Sequence, residues 1–163
     1  MRTEQKRIAW SKPMFYSTSC EYALRALTHL AANESPAPIQ VKEIAEAEEI
    51  PRHFLAKILN QLTYKNLVRA MRGPGGGFLL SRPATEILVG EVVDAIDGVE
   101  SIRNRCVLGL NSCKCEVPCP MHDDWERVRE DFLGSVNRLS LAAMAKNLAD
   151  KRLQKDSTAA DAA

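Results

Sequence analysis

The run Arg72-Gly-Pro-Gly-Gly-Gly77 constrains this chain more than any other segment. Four glycines and a proline in six residues oppose a helix, while glycine accepts the positive φ values that tight turns demand. Leu67-Val68-Arg69-Ala70 stands before the run and Phe78-Leu79-Leu80 after it. Two short apolar segments around a glycine-rich turn predict a β-hairpin. The run lacks the Lys-Ser/Thr pair of a phosphate-binding P-loop and opens no helix, so a nucleotide cradle is not the reading adopted.

The residues upstream tell what the hairpin belongs to. A short helix is expected around Val41–Glu48 with Ile44 and Ala45 inward, and Pro51 suits the first position of a second helix. Phe54, Leu55, Ile58, Leu59 and Leu62 form the buried stripe of that second helix. Arg52, His53, Lys57, Asn60 and Gln61 lie opposite, all able to donate hydrogen bonds. Two short helices across a tight turn, the second with a donor-rich face, make a helix-turn-helix, and the hairpin after them makes it winged. An earlier helix, YALRALTHLAAN, is preceded by Thr18-Ser-Cys-Glu21, which has the form of a capping box.

Charge is distributed in the same sense. Met1–Pro83 carries 12 Lys/Arg against 7 Asp/Glu, and Ala84–Ala163 carries 10 against 14. A basic N-terminal half suits contact with nucleic acid. No apolar run is long enough to span a membrane and no signal-peptide pattern opens the chain, so a cytoplasmic protein without membrane partners is expected.

The C-terminal half is organised around cysteine. Residues 86–97, EILVGEVVDAID, predict an amphipathic helix, and CVLGLNSCKCEVPCPMH follows it. Four of the five cysteines, Cys106, Cys113, Cys115 and Cys119, sit there with His122. In a reducing compartment such a group reads as metal-binding or redox-active rather than as a disulfide framework. Soft thiolates favour zinc or iron–sulfur. Neither a Ser/His/Asp set nor a carboxylate pair stands out, so no enzyme is expected.

A single long helix is expected from about His122 to Leu153. Its apolar positions Trp125, Val128, Phe132, Val136, Leu139, Ala143 and Leu148 follow largely three- and four-residue steps. Such a stripe needs a partner, and the same helix of a second subunit is the expected one. The fold class is therefore mainly α with a small β-hairpin wing: a winged helix-turn-helix domain plus a long C-terminal dimerisation helix. The expected divisions are a flexible extension at 1–13, the winged helix at 14–84, the cysteine loop and dimerisation helices at 85–153, and a disordered tail at 154–163.

EYALRAL, VKEIAEAEEIPRHFLAKIL, RGPGGGFLLSRP, VGEVVDAIDG and the cysteine loop together resemble the Rrf-two family of bacterial transcription regulators. The resemblance runs from about Met14 to Leu148. It implies a homodimeric winged-helix protein, a repressor on a double-stranded DNA operator, whose affinity follows the state of a 2Fe–2S or 4Fe–4S cluster. It implies Cys106, Cys113 and Cys119 as ligands. His122 matches a ligand position of cluster assembly regulators, and Glu21 matches the position from which nitric-oxide sensors supply a carboxylate across the dimer. Cys115 is a further candidate, and Cys20, beside Glu21, is an outside one. The family's better-known cluster proteins separate their cysteines by five residues, whereas Cys106 to Cys113 here is C-x6-C. A Cys3His set also suits structural zinc, and a thiol-only redox site needs no metal. For DNA, Arg52, His53, Lys57 and Asn60 are expected in the major groove and Arg72 in the minor groove.

Overall fold

The computed structural model describes residues 15–33, 36–109, 113 and 118–160, with side chains as far as Lys151. Helix α1 (Thr18–Ala32) leads into α2 (Val41–Ala47) and α3 (Arg52–Tyr64), then the hairpin β1 (Val68–Met71) and β2 (Gly77–Leu80). Helices α4 (Val89–Asp97), α5 (Val99–Arg103), α6 (His122–Val136) and α7 (Leu141–Ala160) complete the chain. The expected helical protein with a β-hairpin wing is what folds.

The hairpin is antiparallel, with Val68 opposite Leu80 and Met71 opposite Gly77. Gly73 and Gly75 take positive φ values of 103° and 76° at its tip, the backbone demand that made the glycine run legible. Ile39, just before α2, adds a bridge to Phe78: each backbone N–H donates to the other's carbonyl, at 3.0 and 2.8 Å. This tie sets the wing against the helix-turn-helix.

The core joins α1, α2, α3, the wing and α4. Leu27, Ile44, Leu55, Leu59, Leu62, Val68, Val92 and Val93 are completely or almost completely buried in it. Helix α1 is its axis, packed by α3, α4 and α7. Burial of such aliphatic side chains contributes roughly 1.5–3 kcal/mol each before the entropy of ordering is subtracted.

Several local expectations are corrected. Ser17, not Thr18, caps α1: its hydroxyl accepts from the Cys20 N–H at 3.2 Å. Glu21 instead faces Arg25 one turn on, at 3.7 Å. Pro51 is the N-cap of α3 rather than its first residue, its carbonyl accepting from Phe54 and Leu55. Phe54 is 49% exposed, because at the end of the stripe it turns past the edge of the core. The 86–97 helix begins only at Val89, since Leu88 is held extended as its N-cap.

The largest correction concerns the long helix, which is two helices. Asn137 closes α6, and Ser140 starts α7 by accepting from the Ala143 N–H at 3.2 Å. Serine is a strong N-cap because its hydroxyl replaces a missing backbone acceptor. The intervening backbone pairs with the approach to α4: the Val89 N–H donates to Leu139, and the Leu141 N–H to Ile87. Gly90 permits this contact, since a Cβ there would stand 1.9 Å from Asn137 Oδ1. Helix α7 turns back onto α1 of its own chain, burying Leu141 and Ala145. Of the stripe assigned to a second subunit, Val136 is internal core and Phe132 and Leu139 pack partly against it, while Val128 and Leu148 are exposed. The backbone of α7 stays helical to Ala160, beyond the point where a disordered tail was expected. The 1–13 extension lies outside the described residues.

Helix α6 also buries a different face. Trp125, Arg129, Leu133 and Val136 are inward, while Val128 is 44% exposed. Among the described residues, no helix is long and apolar enough to cross a membrane.

Candidate nucleic-acid interface and metal centre

The outer face of α3 is set by elimination. Leu55, Ile58, Leu59 and Leu62 anchor the helix, so Arg52, His53, Lys57 and Asn60 emerge on the opposite side, all exposed. Arg72 is exposed at the head of the wing turn. Five donor-bearing side chains thus occupy solvent-facing positions on the two elements that a winged helix offers to DNA. The His53 ring lies 4.2 Å from that of Phe54, a neighbour that steadies it at the start of α3. Gln61 does not belong with this set. Its amide donates to the Ala95 carbonyl at 2.9 Å and fastens α3 to α4.

The thiols form a second, separate cluster. Cys106 and Cys113 are buried with Trp125, and Cys119, Val107 and Phe15 pack against them. Trp125 holds the approach to the loop: its indole N–H donates to the Arg105 carbonyl at 2.7 Å. The Cys113 N–H donates to the Asn104 carbonyl at 3.2 Å. Cys113 Sγ stands 3.6 Å from Nδ1 of His122, the first residue of α6. Of the ligands the sequence proposes, Cys106, Cys113 and Cys119 pack in one cluster with Trp125, and His122 stands beside Cys113. Glu21 is set apart on α1 with its side chain 53% exposed. Cys115 lies outside the described residues.

Among the described residues, no three His, Cys, Asp or Glu side chains converge on one point as a finished metal site. The donor set nonetheless suits a thiophilic group in its chemistry. Soft thiols pack around one indole, an imidazole stands against the middle thiol, and hydrogen-bond donors unpartnered among the described residues lie one turn along α6 from Trp125. Those donors are Nε and Nη1 of Arg129, a residue only 4% exposed. Sequence reading missed Arg129 because nothing in a polar residue's spacing predicts burial without a partner. Its place four residues after Trp125 was the available signal.

The fifth cysteine, Cys20, is fully buried in α1. Burial, and then the nearby Asp97 carboxylate, push its thiol up to about 12 from 9.0, so it stays protonated and unreactive. Asp97 itself, at the end of α4, accepts from the Ser17 N–H at 2.5 Å and the Ser17 hydroxyl at 2.6 Å. Phe15, two residues earlier, stacks on Phe132 at 4.5 Å and lies 5.6 Å from the Trp125 ring. The start of α1 is therefore tied to the thiol pocket by aromatic rings and to α4 by a carboxylate.

A helix-turn-helix with a wing and a basic exposed recognition face defines a winged-helix DNA-binding protein. The chain matches the family model Rrf2, described as an iron-dependent transcriptional regulator, over residues 16–147. It is 32% identical over 126 residues to the HTH-type transcriptional regulator IscR of Klebsiella pneumoniae, covering 77% of this chain and 76% of the relative. Among solved structures it resembles CymR, the global cysteine regulator of B. subtilis. There the TM-score is 0.67 at 24% identity, covering 80% of this chain and 95% of CymR. CymR of Staphylococcus aureus superposes with a TM-score of 0.64 at 28% identity, over 79% and 96% of the two chains. This protein belongs to the Rrf2 family: it is a DNA-binding transcriptional regulator, not an enzyme.

Proposed function

We propose that this regulator is a homodimeric, cytoplasmic repressor whose grip on a pseudo-palindromic operator depends on an iron–sulfur cluster held by Cys106, Cys113, Cys119 and His122. The observation that carries the reading is the continuity of packing from the thiol pocket to the recognition helix. The thiols enclose Trp125, Phe15 packs on Trp125, and Phe15 stands at the start of α1, against which α3 is packed. A bound cluster supplies one-electron redox chemistry and sensitivity to oxygen or nitric oxide. The chain's own residues supply the rest. The thiols and imidazole fix the loop between α5 and α6, Trp125 keeps water from it, and Phe15 and Asp97 pass its position to α1.

In this reading Arg52, His53, Lys57 and Asn60 enter the major groove and Arg72 reaches the adjacent minor groove. Two recognition helices of a dimer must fit successive grooves together, so a small change in their relative placement lowers affinity steeply. The exposed Val128 of α6 and Leu148 of α7 suit the contact with a second subunit.

The test is Cys106→Ala in anaerobically isolated full-length protein, with iron, acid-labile sulfide, visible absorption and operator affinity measured together. Loss of the absorption with a change in affinity supports the proposal. Retention of both wild-type absorption and wild-type affinity overturns it. Zinc without sulfide in the unsubstituted protein assigns the loop a structural metal instead.

A further inference from the structure

Arg129 is the one charged side chain on the buried face of α6. Among the described residues, two of its guanidinium nitrogens, Nε and Nη1, have no hydrogen-bond partner, and Nη2 stands 3.9 Å from Glu126. A buried charge left unpaired is among the costliest features a fold can carry. Such a group persists where something outside the bare chain completes it.

Geometry says where that completing group lies. Helical side chains lean toward the N-terminus of their helix, and the approach of Arg129 to Glu126, three residues back, shows that lean. The next turn in that direction carries Trp125, whose indole is enclosed by Cys106 and Cys113. The chain entering the thiol loop is held to α6 at two points. The Arg103 guanidinium meets Glu130 at 3.6 Å, and the Trp125 indole meets the Arg105 carbonyl. Between these two tethers, Asn104 Oδ1 is also buried without a partner. Among the described residues, an arginine donor pair therefore stands unsatisfied one helical turn from the indole that packs with Cys106 and Cys113, and an amide acceptor stands unsatisfied on the chain leading to Cys106.

We infer that Arg129 is the internal countercharge of the thiol site, donating its free N–H groups toward the anionic sulfur of a bound cluster and raising that cluster's reduction potential. The inference rests on the cluster reading given above. Three thiolates and a neutral imidazole leave a 2Fe–2S or 4Fe–4S centre with net negative charge, and one-electron reduction adds another. A fixed positive charge beside it favours the reduced form, and so do N–H groups aimed at its sulfurs. Removing the charge makes the centre harder to reduce.

The experiment compares full-length wild type, Arg129→Met, Arg129→Gln and Arg129→Lys, isolated anaerobically. Iron and acid-labile sulfide are measured first, then the midpoint potential by optical redox titration. Arg129→Met is expected to shift the oxidised-to-reduced ratio at fixed potential at least tenfold toward the oxidised form, which for one electron is 59 mV. Arg129→Gln, safer for folding, shifts the same way, and Arg129→Lys stays near wild type. Loss of iron from the Met and Gln proteins, with retention in the Lys protein and unchanged helicity, supports the countercharge as well. A wild-type potential in either neutral variant at full iron and sulfide overturns the inference while leaving the cluster reading intact. Loss of iron from all three variants overturns it in favour of a packing role. Absence of iron and sulfide from the wild type removes the cluster reading itself, and the inference with it.

Discussion

The carboxylate of Asp97 holds Ser17 twice, through the backbone N–H at 2.5 Å and through the hydroxyl at 2.6 Å. The contact spans 80 residues of sequence and joins the last turn of α4 to the N-cap of α1. Gly98 follows Asp97 and opens α5, the approach to the thiol loop. One residue therefore stands where the DNA-reading half and the cysteine half meet.

Asp97→Asn removes the charge while keeping the shape. Hydrogen bonds to an ionised acceptor are worth about 1.5–3 kcal/mol each, so the variant is expected to lose roughly that much stability. Urea unfolding of the metal-free protein checks this. A midpoint equal to wild type would show that the clamp contributes nothing.

The two polar sides of α3 separate in a binding assay. Lys57→Ala and Arg72→Ala are expected to weaken binding to a duplex selected from random sequences by about tenfold or more. The Arg72 variant should also show a shallower salt dependence, having given up contact near the phosphates. Gln61→Ala, which cuts the tie to the Ala95 carbonyl, is expected to lower the unfolding midpoint and leave base preference unchanged. Equal effects of all three on base preference would place Gln61 back among the DNA contacts.

Cys20 predicts a one-sided pH response. Its thiol sits at about 12 in the fold against 9.0 ordinarily, so the native state holds the proton more tightly than the unfolded chain does. This contribution is complete below pH 9 and is lost as pH rises toward 12, by about 1.4 kcal/mol per unit. The stability gap between wild type and Cys20→Ala, followed by denaturant unfolding under reducing conditions, should therefore narrow across that interval. A constant gap contradicts the buried neutral thiol.

Gly90 and Asn137 make a test of the break between α6 and α7. A methyl group at residue 90 meets Asn137 Oδ1, so Gly90→Ala is expected to cost about 1–3 kcal/mol despite alanine's better helix propensity. Adding Asn137→Ala clears the space and should recover most of the loss. A double-mutant cycle in thermal unfolding measures the coupling, and simple additivity would mean the two do not touch.

Short-range patterns made most of the DNA-reading half legible. The three-to-four-residue recurrence of Leu55, Ile58, Leu59 and Leu62 named the inward face of α3, and by exclusion the exposed set Arg52, His53, Lys57 and Asn60. Gly73 and Gly75 announced a turn that few other residues tolerate. The spacing of Cys106, Cys113, Cys119 and His122 announced a local cluster, because thiol and imidazole are uncommon enough for clustering to carry meaning.

Pairings between distant segments were another matter. Ser17 rather than Thr18 caps α1 because Asp97, far along the chain, holds Ser17 in an extended conformation suited to the cap. The stripe from Trp125 to Leu148 read as one helix seeking a second subunit. It breaks because Leu139 and Leu141 find backbone partners beside α4, and α7 then closes on α1. Arg129 is buried on the face of α6 that carries Trp125, Leu133 and Val136, a placement that no periodicity of polar residues encodes. The sequence by itself determined which residues offer thiol, imidazole and donor chemistry, and the local conformations that glycine and helical spacing dictate. Tertiary structure alone decided which of those residues meet, since long-range hydrogen bonds and packing, not local propensity, select among faces of equal pattern.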